Sequence, residues 1–151
     1  MLFRFDLTED EAMHSRWLTE LCKNVSRPDF VEVVRYWDEF RLTVLSRRVL
    51  VLKPADALED FVCLYYGDEL QERFGVDFTG KSIAEMLEEQ PVRHSVEPYM
   101  LVAKFKVPHI SRVLPTLREH KGVDYTRIVH PVMSGENVRL VVAILSFHDS
   151  V

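Results

Sequence analysis

Apolar residues recur at spacings of three and four between Trp17 and Phe40, then alternate or run together from Val49 onward. The change of period divides the chain into a helical beginning and a strand-rich remainder. In the first part Trp17, Leu18, Leu21 and Val25 fall on one helical stripe, and Thr8 with Glu11 makes a T-x-x-E capping box ahead of them. Together they predict a helix over about Glu9 to Cys22. After "NVSRP", Asp29 is placed to start a second helix carrying Phe30, Val33, Val34, Trp37 and Phe40. Two short apolar runs, "VLVL" ended by Lys53-Pro54 and "DFVCLYYG" closed by Gly67, predict strands.

The polar segment "DELQERF" is helix-compatible and stops at Gly75; Thr79 or Ser82 can then cap a further helix through "IAEMLEEQ" before Pro91. Pro98 can open another helix over "YMLVAKFK", while "HISRVLPTL" fits a strand and an irregular segment equally well. The last third is plainer. "DYTRIVHPVM" and "VRLVVAILSF", joined by "SGEN", predict a long antiparallel hairpin. Helices, two strands, short helices and a terminal meander imply an α+β domain with one antiparallel sheet, not an alternating parallel βαβ fold. Residues 1–45 form a helical extension and 46–151 the core of a single structural unit.

The length of 151 residues, 47% hydrophobic and 28% charged, suits one globular domain. A net charge of -5 with cations scattered among acids argues against nucleic acid as a partner. No apolar run approaches the roughly 18 to 20 residues of a membrane span. Acids stand in "MLFRFDLTEDEAM" where a signal peptide has its apolar segment, so a cytoplasmic protein without a membrane partner is expected. Cys22 and Cys63 lie far apart within apolar patterns, as buried inert thiols do.

One stretch carries a motif. Gly75-x-x-x-x-Gly80-Lys81-Ser82 fits the phosphate-binding loop G-x-x-x-x-G-K-[ST], in which backbone N–H groups cradle phosphates and the hydroxyl holds Mg²⁺. Such a loop needs a buried strand leading directly into its first glycine. Here "FVCLYY" ends at Gly67, "DELQERF" intervenes, and Asp77 inside the loop would repel a polyphosphate. Nucleotide binding is therefore disfavoured. The same residues have structural tasks instead: Gly75 and Gly80 supply turn conformations, Thr79 or Ser82 caps a helix, and Phe74 and Phe78 pack inward.

The surrounding run "EDFVCLYYGDELQERFGVDFTGKSIAEM" resembles a segment of bacterial PAS-like domains, in which "DF-x-Y-R-x-x-G-x-x-L" leads into "G-x-D-x-T-G-K" and a helix. The matching positions are Asp60, Phe61, Tyr65, Gly67, Leu70, Gly75, Asp77, Thr79, Gly80 and Lys81. Tyr36, Trp37 and Arg41 match an upstream "YW-x-x-x-R" helix, and Tyr125, Arg127 and Pro131 a "Y-x-R-x-x-x-P" strand. The resemblance runs from about Asp29 to the end. It implies a five-stranded antiparallel sheet with short helices across one face. It also makes Gly67, Gly75, Asp77, Thr79, Gly80 and Lys81 a turn and helix start beside a ligand pocket.

For that pocket the candidate wall is Phe61, Cys63, Tyr65 or their alternates with Phe78, Ile83, Met86 and Leu87, although core packing explains the same residues. Arg127 and His130 are its candidate polar anchors, a structural histidine being the default for the latter. The six histidines show no metal-ligand spacing. Haem-binding relatives use a histidine on the helix after the turn, which "SIAEMLEEQ" lacks, and flavin-photoreactive ones an "N-C-R" cysteine, which Cys63 is not. Neither cofactor is expected. No Ser-His-Asp or Cys-His set stands out, so a small α+β pocket enzyme built from scattered polar residues is only the alternative. The resemblance implies a non-enzymatic sensory or interaction module, with or without a small ligand, that signals through another signalling protein. Its N-terminal helices would support homodimerisation or partner docking.

Overall fold

The β-branched and aliphatic runs form the sheet. In the computed structural model, which describes residues 15–22, 28–55, 60–85, 93–113 and 124–148, five strands pair antiparallel in the order β2-β1-β5-β4-β3. They are β1 (Val49–Pro54), β2 (Phe61–Tyr66), β3 (His109–Val113), β4 (Tyr125–Ser134) and β5 (Asn137–Phe147). The β4–β5 hairpin turns through Gly135 and Glu136, with Ser134 opposite Asn137 and a φ of 61° at Gly135. A positive φ at the first loop position is what a type II′ connection requires, and only glycine adopts it freely. The first half of the ambiguous segment "HISRVLPTL", His109–Val113, is edge strand β3, and its remainder lies outside the described residues.

Helix α1 (Arg16–Cys22) is followed by α2 (Phe30–Arg35) and α3 (Trp37–Phe40). The start expected at Glu9, and the Thr8–Glu11 capping box, lie outside the described residues. Asp29 caps α2 as its sequence position predicts, its Oδ1 accepting from the N–H groups of Val31 and Glu32 at 2.9 and 3.4 Å. The single helix expected beyond it is two, because the backbone leaves helical geometry at Tyr36. A 3₁₀ turn at Leu45–Arg48 leads into β1.

Helix α4 (Asp68–Phe74) ends at Gly75 with φ 75°, the left-handed cap anticipated for that glycine. Helix α5 (Arg93–Phe105) begins earlier than expected: Pro98 lies inside it and does not open it. Proline there forgoes one helical hydrogen bond, a loss that the packing of Tyr99 and Val102 into the core offsets. No helix among the described residues is long and apolar enough to cross a membrane.

Both faces of the sheet are covered. One carries Leu50, Leu52, Phe61, Cys63, Val129, Val141 and Ala143 under α4 and α5, with Phe78 and Ile83. The other carries Val49, Val51, Val132, Val142 and Ile144 under Trp17, Leu21, Val33 and Phe40 of α1–α3. The expected short helices lie on the first face, and the N-terminal helices that precede the sheet cover the second.

Candidate functional site

The phosphate-loop letters have a definite structural role. Thr79 N–H donates to Asp77 Oδ1 at 2.9 Å, closing an Asx turn, and Gly80 follows with φ 82°. Hydrogen bonds from Thr79 and the nearby Lys81 charge hold the exposed Asp77 carboxyl below the usual carboxylate range. Gly80 N–H then donates to the Cys63 carbonyl at 2.7 Å, and Cys63 N–H to the Lys81 carbonyl at 2.9 Å. The segment thereby covers the open edge of β2, which would otherwise present unpaired backbone groups. At the helical turn that follows, Ser82 Oγ accepts from Glu85 N–H at 3.2 Å and Glu85 Oε2 from Ser82 N–H at 2.8 Å, a capping box. Asp60 Oδ1 accepts from the N–H groups of Phe61, Ile83 and Ala84 at 2.8, 3.1 and 3.4 Å. A carboxylate therefore occupies the helix start where a nucleotide phosphate would sit, and the two anions would repel.

The candidate wall residues separate into two groups. Phe61, Cys63, Phe78 and Ile83 meet on the face beneath α4 and α5, where Phe78 packs edge-on against Tyr66 at 5.3 Å. Burial pushes the Cys63 thiol up to about 12, against a weaker opposing effect of a hydrogen bond with the Tyr65 backbone. Tyr65 is turned to the other face. Val51 pairs with Tyr65 but Leu52 with Cys63, which leaves Leu64 as an extra residue, and this bulge reverses the alternation. Tyr65 instead packs edge-on against Trp37 at 4.9 Å and donates to the Ser46 carbonyl at 3.1 Å. Met86 and Leu87 lie outside the described residues.

The two polar anchors likewise lie on opposite faces. Arg127, 2% exposed, reaches α5 from β4: its Nη1 donates to Tyr99 Oη at 3.4 Å and its guanidinium carbon sits 5.1 Å from the Tyr99 ring centre. Tyr99, on the covered face beside Arg127, was not foreseen among the site residues. His130 is three residues along the same strand and so faces α1–α3. It is buried, neither ring nitrogen has a hydrogen-bond partner among the described residues, and burial pushes the imidazole down to about 4. Arg127 and His130 therefore do not share a pocket.

On the α1–α3 side the packing is incomplete. A cavity of about 390 Å³ opens between α2–α3 and strands β1, β2 and β5. Trp17, Phe30, Val33, Trp37 and Tyr65 make its walls, and Val34, Leu64, Lys53 and Arg139 also line it. A second bulge contributes: Val132 pairs with Leu140 and Met133 with Val138, leaving Arg139 as the extra residue. No periodic pattern along the chain marks this cavity, because bulges break the alternation by which faces are read. Among the described residues, no group of three His, Cys, Asp or Glu side chains is arranged to hold a metal ion.

Comparison with known proteins places this architecture. No family model matches the chain. No curated protein matches it either. Among solved structures, the crystal structure of a sensory box sensor histidine kinase from Vibrio cholerae is similar, with a TM-score of 0.50 and 14% sequence identity. The match covers 80% of this chain and 100% of that one. At that identity the likeness concerns fold, and with the β2-β1-β5-β4-β3 sheet and its short helices it shows that the chain has a PAS-like α+β fold.

Proposed function

We propose that this chain is a PAS-like sensory or interaction module that performs no turnover of its own and passes a signal by contact with another signalling protein. The observation that carries the reading is the asymmetric covering of the sheet. Among the described residues, one face carries a continuous core drawn from all five strands, while the other is covered by short helices that leave a cavity beneath them and apolar side chains on top. Val31, Leu42 and Val44 stand exposed around that layer, Leu42 at 82%. Isolated exposed apolar residues are ordinary, but several around one thin layer suit a surface that another protein covers. The sensory box neighbour supports the same reading by analogy of fold.

The test is site-specific photocrosslinking in the native cell. A benzophenone amino acid at Leu42 or Val44 should give a discrete crosslinked product, one at Glu136 on the β4–β5 turn should not, and Leu42→Asp should abolish the product formed from Val44. A product of twice the chain's own mass would identify the partner as a second copy, through the N-terminal helices. Equal background from all three positions, or turnover of a small substrate by the purified chain, would overturn the reading.

A further inference from the structure

The cavity under α2 and α3 has a chemistry of its own. Its walls are aromatic and aliphatic, and the charged side chains lining it are both cations, Lys53 and Arg139. Both are exposed, and neither is paired with a carboxylate among the described residues; Arg139 lies over the Phe30 ring at 5.1 Å. They leave adjacent strands close together, Lys53 one residue beyond and Arg139 two residues before the Leu52–Val141 pair. This local cationic rim occurs in a chain whose net charge is -5. Two unneutralised cations side by side repel each other, and an anion seated between them removes that cost.

Three further observations point to a ligand. Both sheet bulges leave their extra residue, Leu64 or Arg139, at this one cavity, and bulges are a means by which a strand re-aims a side chain at a site. Trp17, 1% exposed, lines the cavity, and its indole N–H is buried without an acceptor among the described residues. The volume of about 390 Å³ lies within the range of roughly 300–1,000 Å³ typical of small-molecule pockets.

We infer that this cavity, on the face of the sheet opposite to the Arg127 side, is a binding site for a small apolar molecule bearing one anionic group. The apolar part would lie against Trp37, Phe30 and Leu64, and the anion would pair with Lys53 and Arg139.

The chain contains two tryptophans, and both line the cavity, so intrinsic fluorescence reports its occupancy. The full chain is titrated with octanoate, 1-octanol and octylamine, alongside the Lys53→Gln/Arg139→Gln double variant, whose substitutions are exposed and whose fold circular dichroism checks. Octanoate should change the emission saturably, and the double variant should weaken its binding about tenfold or more. Octanol should bind more weakly and equally to both proteins, and octylamine weakest. Absence of a saturable octanoate response up to several millimolar would overturn the site. Equal binding of octanoate and octanol, or of octanoate to both proteins, would overturn the anion assignment. An emission change on raising protein concentration alone would mean that a second copy fills the cavity, and would also overturn it.

Discussion

The two faces of the sheet use similar side chains to different ends. Beneath α4 and α5, residues from all five strands and both helices interlock, and an aromatic group of Phe74, Tyr125 and Phe147 with ring centres 5.7–6.3 Å apart closes one end. Beneath α1–α3, Trp17 stacks on Phe40 at 4.0 Å, but helices of seven, six and four residues are too short to fill the space over β1 and β2. Short helices draw their stability from what they pack on. The closed face therefore holds the fold, and the open face is the one that can change shape at low cost.

The largest test of this contrast uses one strand. Phe61→Ala empties a fully buried position on the closed face and should cost about 4 kcal/mol in urea unfolding. Leu64→Ala, three residues on and half-exposed at the cavity, should cost less than about 1 kcal/mol. Comparable costs would break the contrast.

His130 sharpens it through pH. Its imidazole titrates near 4 in the folded chain against 6.5 for the unperturbed group, so between these values the unfolded chain binds the extra proton. Stability is thus full above about 6.5 and falls as pH is lowered toward 4, by up to about 3 kcal/mol. His130→Leu should flatten the loss; an unchanged pH profile in that variant would mean that other groups cause it.

A smaller effect is expected at Gly67. A methyl group there would stand 2.2 Å from the Arg47 carbonyl oxygen, a backbone atom that cannot swing away. Gly67→Ala should cost about 2 kcal/mol by separating the 3₁₀ turn from the end of β2, and an unchanged melting temperature would contradict that close approach.

Much of the fold was legible in the sequence. The β4–β5 hairpin, the Gly75 cap, the Asp29 cap and the antiparallel sheet all follow from local patterns that agree with the fold. What resisted reading has physical causes. The middle stretches of β4 and β5 are buried on both faces, so the alternation that assigns side chains to faces vanishes into continuous apolar runs. The bulge at Leu64 reverses the parity that would have kept Tyr65 with Phe61 and Cys63. Arg127 and His130 are a different case: an odd separation on an unbroken stretch already placed them on opposite faces. The letters of the phosphate loop, set aside on context in the sequence, do not by themselves specify what occupies the helix start, and Asp60, distant in sequence, occupies it here.

Native-state hydrogen exchange tests the central claim most directly, that a rigid face supports a loosely seated one. Amides of α2 and α3 should exchange through local opening, at a free energy well below that of global unfolding, while those of β1, β4 and β5 exchange only when the whole domain unfolds. Equal protection of α2, α3 and the sheet would contradict the account.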